Sequence, residues 1–228
     1  MSQPLNILIL GRGRMGRAVE ACAQERGHTV VGIWGRQALA EGNWPEADVA
    51  IDFTLPESAP DVFAACRERG LLLVSGTTGW AHHFDRVQAA TREAGHGAVW
   101  APNFSVGVHL FRKALAQVAR TMQGHEFEAA VTETHHTGKV DAPSGTALAI
   151  ADDVRGLTGT LPPIDAARMP GVPGTHRVTW EGPVDLISIE HAAKDRSGFA
   201  RGAVMAAEWL ARYPGPFTKI FSMEDVWG

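Results

Sequence analysis

Over the N-terminal half of the chain, short unbroken apolar runs alternate with stretches of helical spacing. The runs predict strands at Asn6–Leu10, Thr29–Trp34, Val49–Phe53, Leu71–Ser75 and Ala98–Trp100. The intervening pattern predicts helices at Arg14–Arg26, Glu57–Arg69 and Phe84–Ala94, and Gly27, Gly70 and Gly95 stand where helix C-terminal glycines commonly do. This is the βαβ rhythm of a parallel sheet with helices on its faces.

The rhythm changes after Asn103. A longer helix over Val106–Met122 is followed by a partly alternating strand, Glu126–Thr134, and by a helix that opens near Ser144 and runs to about Arg155. A Pro/Gly-rich connection, Gly156–Gly174, leads to strand-like runs at His176–Trp180 and Leu186–His191 and then to a helix at Gly198–Ala211. The pattern predicts an α/β protein: a Rossmann-type dinucleotide-binding domain of residues 1–104 and 197–228, with an α+β domain of residues 105–196 inserted before the final helix.

Composition narrows the classes. With 228 residues, 45% of them hydrophobic, the chain can bury a substantial core. A formal charge of −4 without any basic run offers no electrostatic footprint for nucleic acid or an anionic membrane. No secretory or membrane-spanning pattern is visible, so a cytoplasmic protein is expected. Cys22 and Cys66 each fall inside a predicted helix and read as buried small hydrophobes.

Gly11-Arg12-Gly13-Arg14-Met15-Gly16 matches G-x-G-x-x-G directly after the first strand and opens a helix. Its glycines serve, in order, a tight turn, close backbone approach to a pyrophosphate, and contact between helix and sheet. The helix N-terminus then faces the anion. The second strand ends Trp34-Gly35-Arg36, without the carboxylate that an NAD-selective site usually places there. Arg36, assisted by Arg12, could instead hold a 2′-phosphate, which favours NADPH over NADH as cofactor. Further strand ends, Asp52-Phe53-Thr54, Gly76-Thr77-Thr78-Gly79 and Ala101-Pro102-Asn103-Phe104, should reach the same carboxyl edge of the sheet, and the Gly-Thr-Thr-Gly turn suits a nicotinamide carboxamide.

Residues 133–147, Glu-Thr-His-His-Thr-Gly-Lys-Val-Asp-Ala-Pro-Ser-Gly-Thr-Ala, concentrate two imidazoles, a lysine and a helix start. Lys139, a protonated His136 and the free N–H groups and hydroxyls of Ser144-Gly145-Thr146 describe a carboxylate site. His135 can move a proton near neutral pH. No metal is expected: the adjacent histidines would have to fold onto one ion, the thiols lie elsewhere, and no H-E-x-x-H spacing occurs. His82 and His83 read as a solvated loop or helix start.

These residues resemble the dihydrodipicolinate reductase family, whose members are also called 4-hydroxy-tetrahydrodipicolinate reductases, over nearly the whole chain. His-His-x-x-Lys-x-Asp-Ala-Pro-Ser-Gly-Thr-Ala from His135 carries the likeness, together with Gly76–Gly79, Asn103–Val108 and Arg196 through Phe199-Ala200-Arg201-Gly202-Ala203. The resemblance implies NAD(P)H-dependent reduction of 4-hydroxy-tetrahydrodipicolinate to tetrahydrodipicolinate, with loss of water, in the diaminopimelate route to lysine. It implies His135 as proton donor or acceptor, with Lys139 as its acid or electrostatic partner. It places substrate carboxylates on His136, Gly145 and Thr146, and the cofactor on Gly11–Gly16, Gly76–Thr78 and Ala101–Phe104. It further implies a homotetramer assembled through the second domain. Closure around both ligands would put hinges near Phe104–Gly107 and Lys194–Gly198.

Two departures stand out. The glycine turn is shorter than the G-x-x-G-x-M-G of many members, and Thr137-Gly138 stand where many carry basic residues. The second change leaves Lys139, His136 and Arg196 to hold a dianion and puts substrate affinity in question. Two rival readings are a Rossmann reductase acting on an aldehyde or acyl phosphate, for which a reactive cysteine would be needed, and a noncatalytic NADPH-binding sensor, which would have no use for His135 and Lys139.

Overall fold

A computed structural model describes residues 3–35 and 44–228. The chain divides into two compact units, one running to Ser105 and resuming at Ser197–Gly228, the other Val106–Arg196.

In the first unit, β1 (Asn6–Leu10), β2 (Thr29–Trp34), β3 (Val49–Asp52), β4 (Leu72–Ser75) and β5 (Ala98–Trp100) form a parallel sheet in the order β2-β1-β3-β4-β5. Side chains of a strand alternate between faces, and a sheet covered on both sides buries them all. Thus Ile7 and Ile9 pack with Val19 and Ala23 of α1 (Arg14–Glu25) and with Ala203, Val204 and Ala207 of α6 (Ser197–Arg212). Leu8 and Leu10 point the other way, into a core shared with Val62, Phe63 and Cys66 of α2 (Ala59–Glu68) and with Trp80. Helix α3 (Phe84–Glu93) precedes β5. The final helix of the sequence reading thus packs on the first sheet. Cys22 and Cys66 are both free and buried, and burial raises both thiols above their ordinary value.

The second unit carries a four-stranded sheet in the order β7-β6-β8-β9. β6 (Glu128–His135) runs parallel to β7 (Ile164–Arg168) and antiparallel to β8 (Thr175–Glu181), which pairs in turn with β9 (Leu186–Ala192). Helices α4 (Val106–Met122) and α5 (Gly145–Thr158) supply Phe111, Leu115, Ile150 and Val154 to a core completed by Val131, Val178 and Trp180 of the sheet.

Three features depart from the sequence reading. The connection Gly156–Gly174 contains β7, an edge strand, where the preceding Pro162 and Pro163 interrupt no ladder. A 3-10 turn, Pro56–Ser58, separates β3 from α2, so the helix starts later than Glu57. A last short helix, α7 (Met223–Trp227), begins at a capping box in which the Ser222 hydroxyl accepts from Glu224 N–H and Asp225 reaches back to Ser222 N–H.

Candidate active site

The sheet order reverses between β1 and β3, and the loops at the carboxyl ends of the strands there form the crevice in which such sheets bind ligands. Gly11 donates its N–H to the Trp34 carbonyl at 2.7 Å and has φ +115°, and a Cβ on it would lie 2.5 Å from the Phe53 carbonyl oxygen. At Gly16 a Cβ would meet the Gly11 carbonyl oxygen at 1.9 Å, so the turn and α1 close on each other. Gly13 is different: a Cβ there would have nothing within 4 Å, and Gly13 caps α1 without any side-chain hydrogen bond. Two glycines of the motif are packed and the middle one faces open space. Arg14 and Arg12 are exposed, Met15 is half-buried, and the first turn of α1 has no acidic residue. This arrangement fits a dinucleotide pyrophosphate.

Arg12 Nε donates to the Ile33 carbonyl at 3.1 Å, which sets its side chain at the end of β2, with its aliphatic stem 3.7 Å from a Cβ on Gly35. Arg36 lies outside the described residues.

The neighbouring loops are held by a buried carboxylate. Asp52 accepts from Ser75 and Thr77 hydroxyls at 2.7 and 2.9 Å and from Thr54 N–H at 2.9 Å. Burial raises its pKa above the ordinary value against these bonds. The Thr77 carbonyl receives both the Trp80 and the Trp100 indole N–H, each at 2.8 Å. Thr77 is therefore a buried support, while Thr78 is exposed and Gly76 is half-buried against the Phe53 ring. Phe53 meets Phe104 edge-on. Ala101 is buried and Pro102 exposed, and Asn103 Oδ1 accepts from Ser105 N–H at 2.8 Å. A Cβ on Gly202 would lie 1.7 Å from the Phe104 carbonyl oxygen, so Gly202 admits α6 directly against this segment.

In the second unit the antiparallel register sets Glu133 opposite His176, and His135 follows two residues on, so all three side chains share one face. Glu133 Oε2 is 3.4 Å from His135 Nδ1 and 3.7 Å from His176 Nε2. Glu133 Oε1 accepts from Ser144 N–H at 3.0 Å and from Arg168 at 3.3 Å. Burial opposes charge on Glu133, yet hydrogen bonds from Ser144, the neighbouring His135 and a hydrogen bond from Arg168 hold its pKa below the ordinary value. Burial lowers His135, seconded by Lys139 and Arg168 and opposed by Glu133. His176 is pushed down to about 4, chiefly by burial.

Ser144 caps α5, its Oγ accepting from Ala147 N–H at 3.1 Å. It is buried, and both its N–H and its hydroxyl are engaged within the protein. Gly145 is exposed with open space where a Cβ would lie, and Thr146 is half-buried. Lys139 Nζ donates to Asp141 at 2.8 Å, which holds the Asp141 carboxyl below its ordinary value. His136 is half-buried beside Gly138, and Arg196 is half-buried at the end of the unit.

Three participants escaped the sequence reading. His176 stood at the start of a recognised strand, but nothing in the sequence gave its register against Glu133. Glu133 was named only as the head of the motif. Arg168 ends β7, and besides Glu133 it donates to the Lys139 carbonyl at 3.3 Å and to the Asp141 carbonyl, so it clasps the segment that lacks the expected basic residues. The exposed His82 and half-buried His83 form a 3-10 turn with their rings 4.0 Å apart.

A G-x-G-x-x-G crevice on a parallel sheet, joined to a unit bearing a histidine–carboxylate cluster, defines a nicotinamide-dinucleotide oxidoreductase. Comparison with known proteins narrows that class. The family model "Dihydrodipicolinate reductase, N-terminus" matches residues 5–104 and "Dihydrodipicolinate reductase, C-terminus" matches residues 107–227. A 4-hydroxy-tetrahydrodipicolinate reductase of Christiangramia forsetii is 38% identical over 97% of this chain and 97% of its own. That of Alkalilimnicola ehrlichii is 40% identical over 85% of this chain and 80% of its own. Among solved structures, a dihydrodipicolinate reductase from a Paenisporosarcina species with dipicolinate bound shares the fold, with TM-score 0.76 and 20% identity over 96% of this chain and 98% of that one. An engineered D-amino acid dehydrogenase bound to NADP+ shares it more distantly, with TM-score 0.52 and 13% identity over 96% of this chain and 93% of that one. The chain belongs to the dihydrodipicolinate reductase family, and with that membership it is an NAD(P)H-dependent reductase of lysine and diaminopimelate biosynthesis.

Proposed function

We propose that this chain reduces 4-hydroxy-tetrahydrodipicolinate to tetrahydrodipicolinate with loss of water, using NADPH in preference to NADH, and that His135 manages the proton. The observation that carries the reading is the orientation of His135. Its Nδ1 faces Glu133, and its Nε2 edge lies beside Gly174, where a Cβ would come within 3.0 Å and where the missing side chain leaves room for the substrate. Alone the ring favours its neutral form, because burial and two cations depress its pKa. A bound dicarboxylate adds negative charge nearby and favours the protonated ring, so the arriving substrate loads its own acid.

Lys139, His136, Gly145, Thr146 and Arg196 hold the carboxylates, and the N-terminus of α5 contributes its dipole. Ser144 acts on them indirectly, by capping that helix and fixing Glu133. The dinucleotide, which supplies hydride when bound, is held by Gly11–Gly16 and by the loops at Phe53, Gly76–Thr78 and Ala101–Phe104. Within these loops Gly76 and Thr78 face the ligand and Thr77 holds the turn. Arg12 at the end of β2, together with Arg36, supports the preference for NADPH. Residues 1–104 and 197–228 serve the cofactor and residues 105–196 the substrate and assembly. A homotetramer is supported by the exposed apolar residues Val184, Leu186 and Ile187 at the β8–β9 hairpin and edge strand β9. No helix of the described residues is long and apolar enough to cross a membrane, and a cytoplasmic setting suits this chemistry.

The decisive assay couples the chain to the synthase that makes its substrate and follows NADPH absorbance. Consumption that depends on both synthase and chain is expected. None, with NADPH still bound, would favour a sensor. For the cofactor preference, Arg36→Ala should raise the NADPH KM roughly tenfold and spare that for NADH. An equal loss for both would mean that Arg36 stacks on adenine instead.

A further inference from the structure

We infer that Glu133, His135 and His176 form a transition-metal site of the Zn2+ class behind the proposed proton-handling histidine. The adjacent His135 and His136 would have to fold onto one ion. The fold instead pairs His135 with a histidine from another strand, and one ligand atom from each of Glu133, His135 and His176 lies within 4.8 Å of the others.

Three observations carry the site. The first is spacing. A four-coordinate ion with bonds of about 2.0–2.1 Å keeps its ligand atoms about 3.3–3.4 Å apart. The separations from Glu133 Oε2 to His135 Nδ1 and to His176 Nε2 are 3.4 and 3.7 Å, long for hydrogen bonds but close to that edge length.

Vacant bonding capacity is the second. Glu133 Oε2 and His135 Nδ1 are both buried without a hydrogen-bond partner, although Glu133 is only 2% exposed. A buried carboxylate oxygen left unbonded is costly, and an ion would relieve it. His176 Nε2 also meets Ser144 Oγ at 3.4 Å, a long contact beside the proposed bond to an ion.

The donor set is the third. Two imidazoles and one carboxylate suit Zn2+, Co2+ or Ni2+ and leave a coordination position for water. Ser144 N–H and Arg168 hold the remaining Glu133 oxygen, as ligating carboxylates commonly are held by outer partners.

An ion on Nδ1 would fix the remaining proton of His135 on Nε2, so bound metal is expected to change turnover. That consequence rests on the proton role proposed for His135; the binding itself does not.

Binding is therefore tested without activity. The full chain, stripped with chelator, is titrated with Co2+ alone. The expected result is about one ion per chain, with the visible absorption of a low-coordinate nitrogen–oxygen site that Zn2+ abolishes. His176→Asn should weaken binding by roughly 100-fold or more, while His82→Asn with His83→Asn should leave it intact. Should His176→Asn fail to fold, X-ray absorption of the zinc-loaded wild type replaces it, and two imidazoles are expected among the ligands. No binding, binding lost only with His82 and His83, or a zinc spectrum without imidazole would each overturn the site. Loss of turnover with Zn2+, restored by chelator, tests the second step. If binding holds but turnover is unmoved, the proton role of His135 fails and the metal site stands.

Discussion

The buried carboxylates of the two units are treated in opposite ways. In the first unit every oxygen of Asp52 and Glu208 is bonded: Asp52 by two hydroxyls and an N–H, Glu208 by Arg26 at 2.8 Å through both oxygens and by His28 at 2.8 Å. In the second unit Glu133 has one oxygen bonded and the other left between two imidazoles. Full bonding makes a buried charge part of the scaffold, whereas partial bonding leaves it a reactive neighbour. The difference runs parallel to the proposed division of labour, in which the first unit holds the cofactor and the second moves a proton.

The sharpest way to break that division is to remove the groups proposed to handle the proton. His135→Gln and Lys139→Ala should each lower kcat by about 10²–10⁴-fold, with circular dichroism and NADPH affinity unchanged. If the Kd for NADPH, read by fluorescence, rose in step with the loss of kcat, cofactor binding and proton transfer would not be separable by unit.

Next in size is a change confined to the scaffold. Gly202→Ala forces a Cβ to within 1.7 Å of the Phe104 carbonyl oxygen, and neither backbone can yield without shifting α6 or the loop. A loss of about 3 kcal/mol in urea unfolding is expected. Wild-type stability would mean that α6 slides freely and that the family's Phe-Ala-Arg-Gly-Ala sequence has some other use.

Glu208→Gln tests the fully bonded carboxylate, and its effect depends on pH. His28 Nδ1 accepts from Leu5 N–H, so Nε2 is the atom that donates to Glu208. Burial opposes the charge on Glu208, but Arg26 and His28 hold its pKa below the ordinary value of 4.5. Its stabilisation is therefore complete above the unfolded-state value and is lost as pH falls through the folded-state value. At pH 7 the variant should be less stable by about 2 kcal/mol, and the gap should close in acid. A gap that persisted unchanged at low pH would assign the effect to packing rather than charge.

The first unit was legible in the sequence because its strands are continuous apolar runs and its glycines occupy a motif with one geometric meaning. Ile7 through Leu10 could be little else than a strand buried on both faces. The second unit was legible in its chemistry, through residues 133–147, but not in its register. Nothing in the sequence aligns Glu133 with His176, because strand pairing is set by contacts across the sheet. β7 was missed for a related reason. Ile164-Asp165-Ala166-Ala167-Arg168 alternates only weakly, and its flanking prolines signal a loop unless the strand is known to lie at an edge. With β7 went Arg168, and with Arg168 the account of how this chain manages with Thr137-Gly138.

Arg168 supplies the smallest and most specific test of the comparison. Its guanidinium bonds Glu133 Oε1 and the carbonyls of Lys139 and Asp141, so one planar group ties the half-bonded carboxylate to the loop that carries Lys139. A lysine would keep the charge but offer a single ammonium where several directed N–H groups now act. Arg168→Lys should loosen the loop without removing any group proposed to handle the proton. The expected outcome is a substrate KM raised about five- to tenfold, with kcat within about twofold and NADPH binding unchanged, a loss of roughly 1 kcal/mol. A fall in kcat with KM unchanged would place Arg168 in the chemistry itself. Wild-type values for both would show that Lys139 and His136 hold the substrate without help and that the clasp serves folding alone.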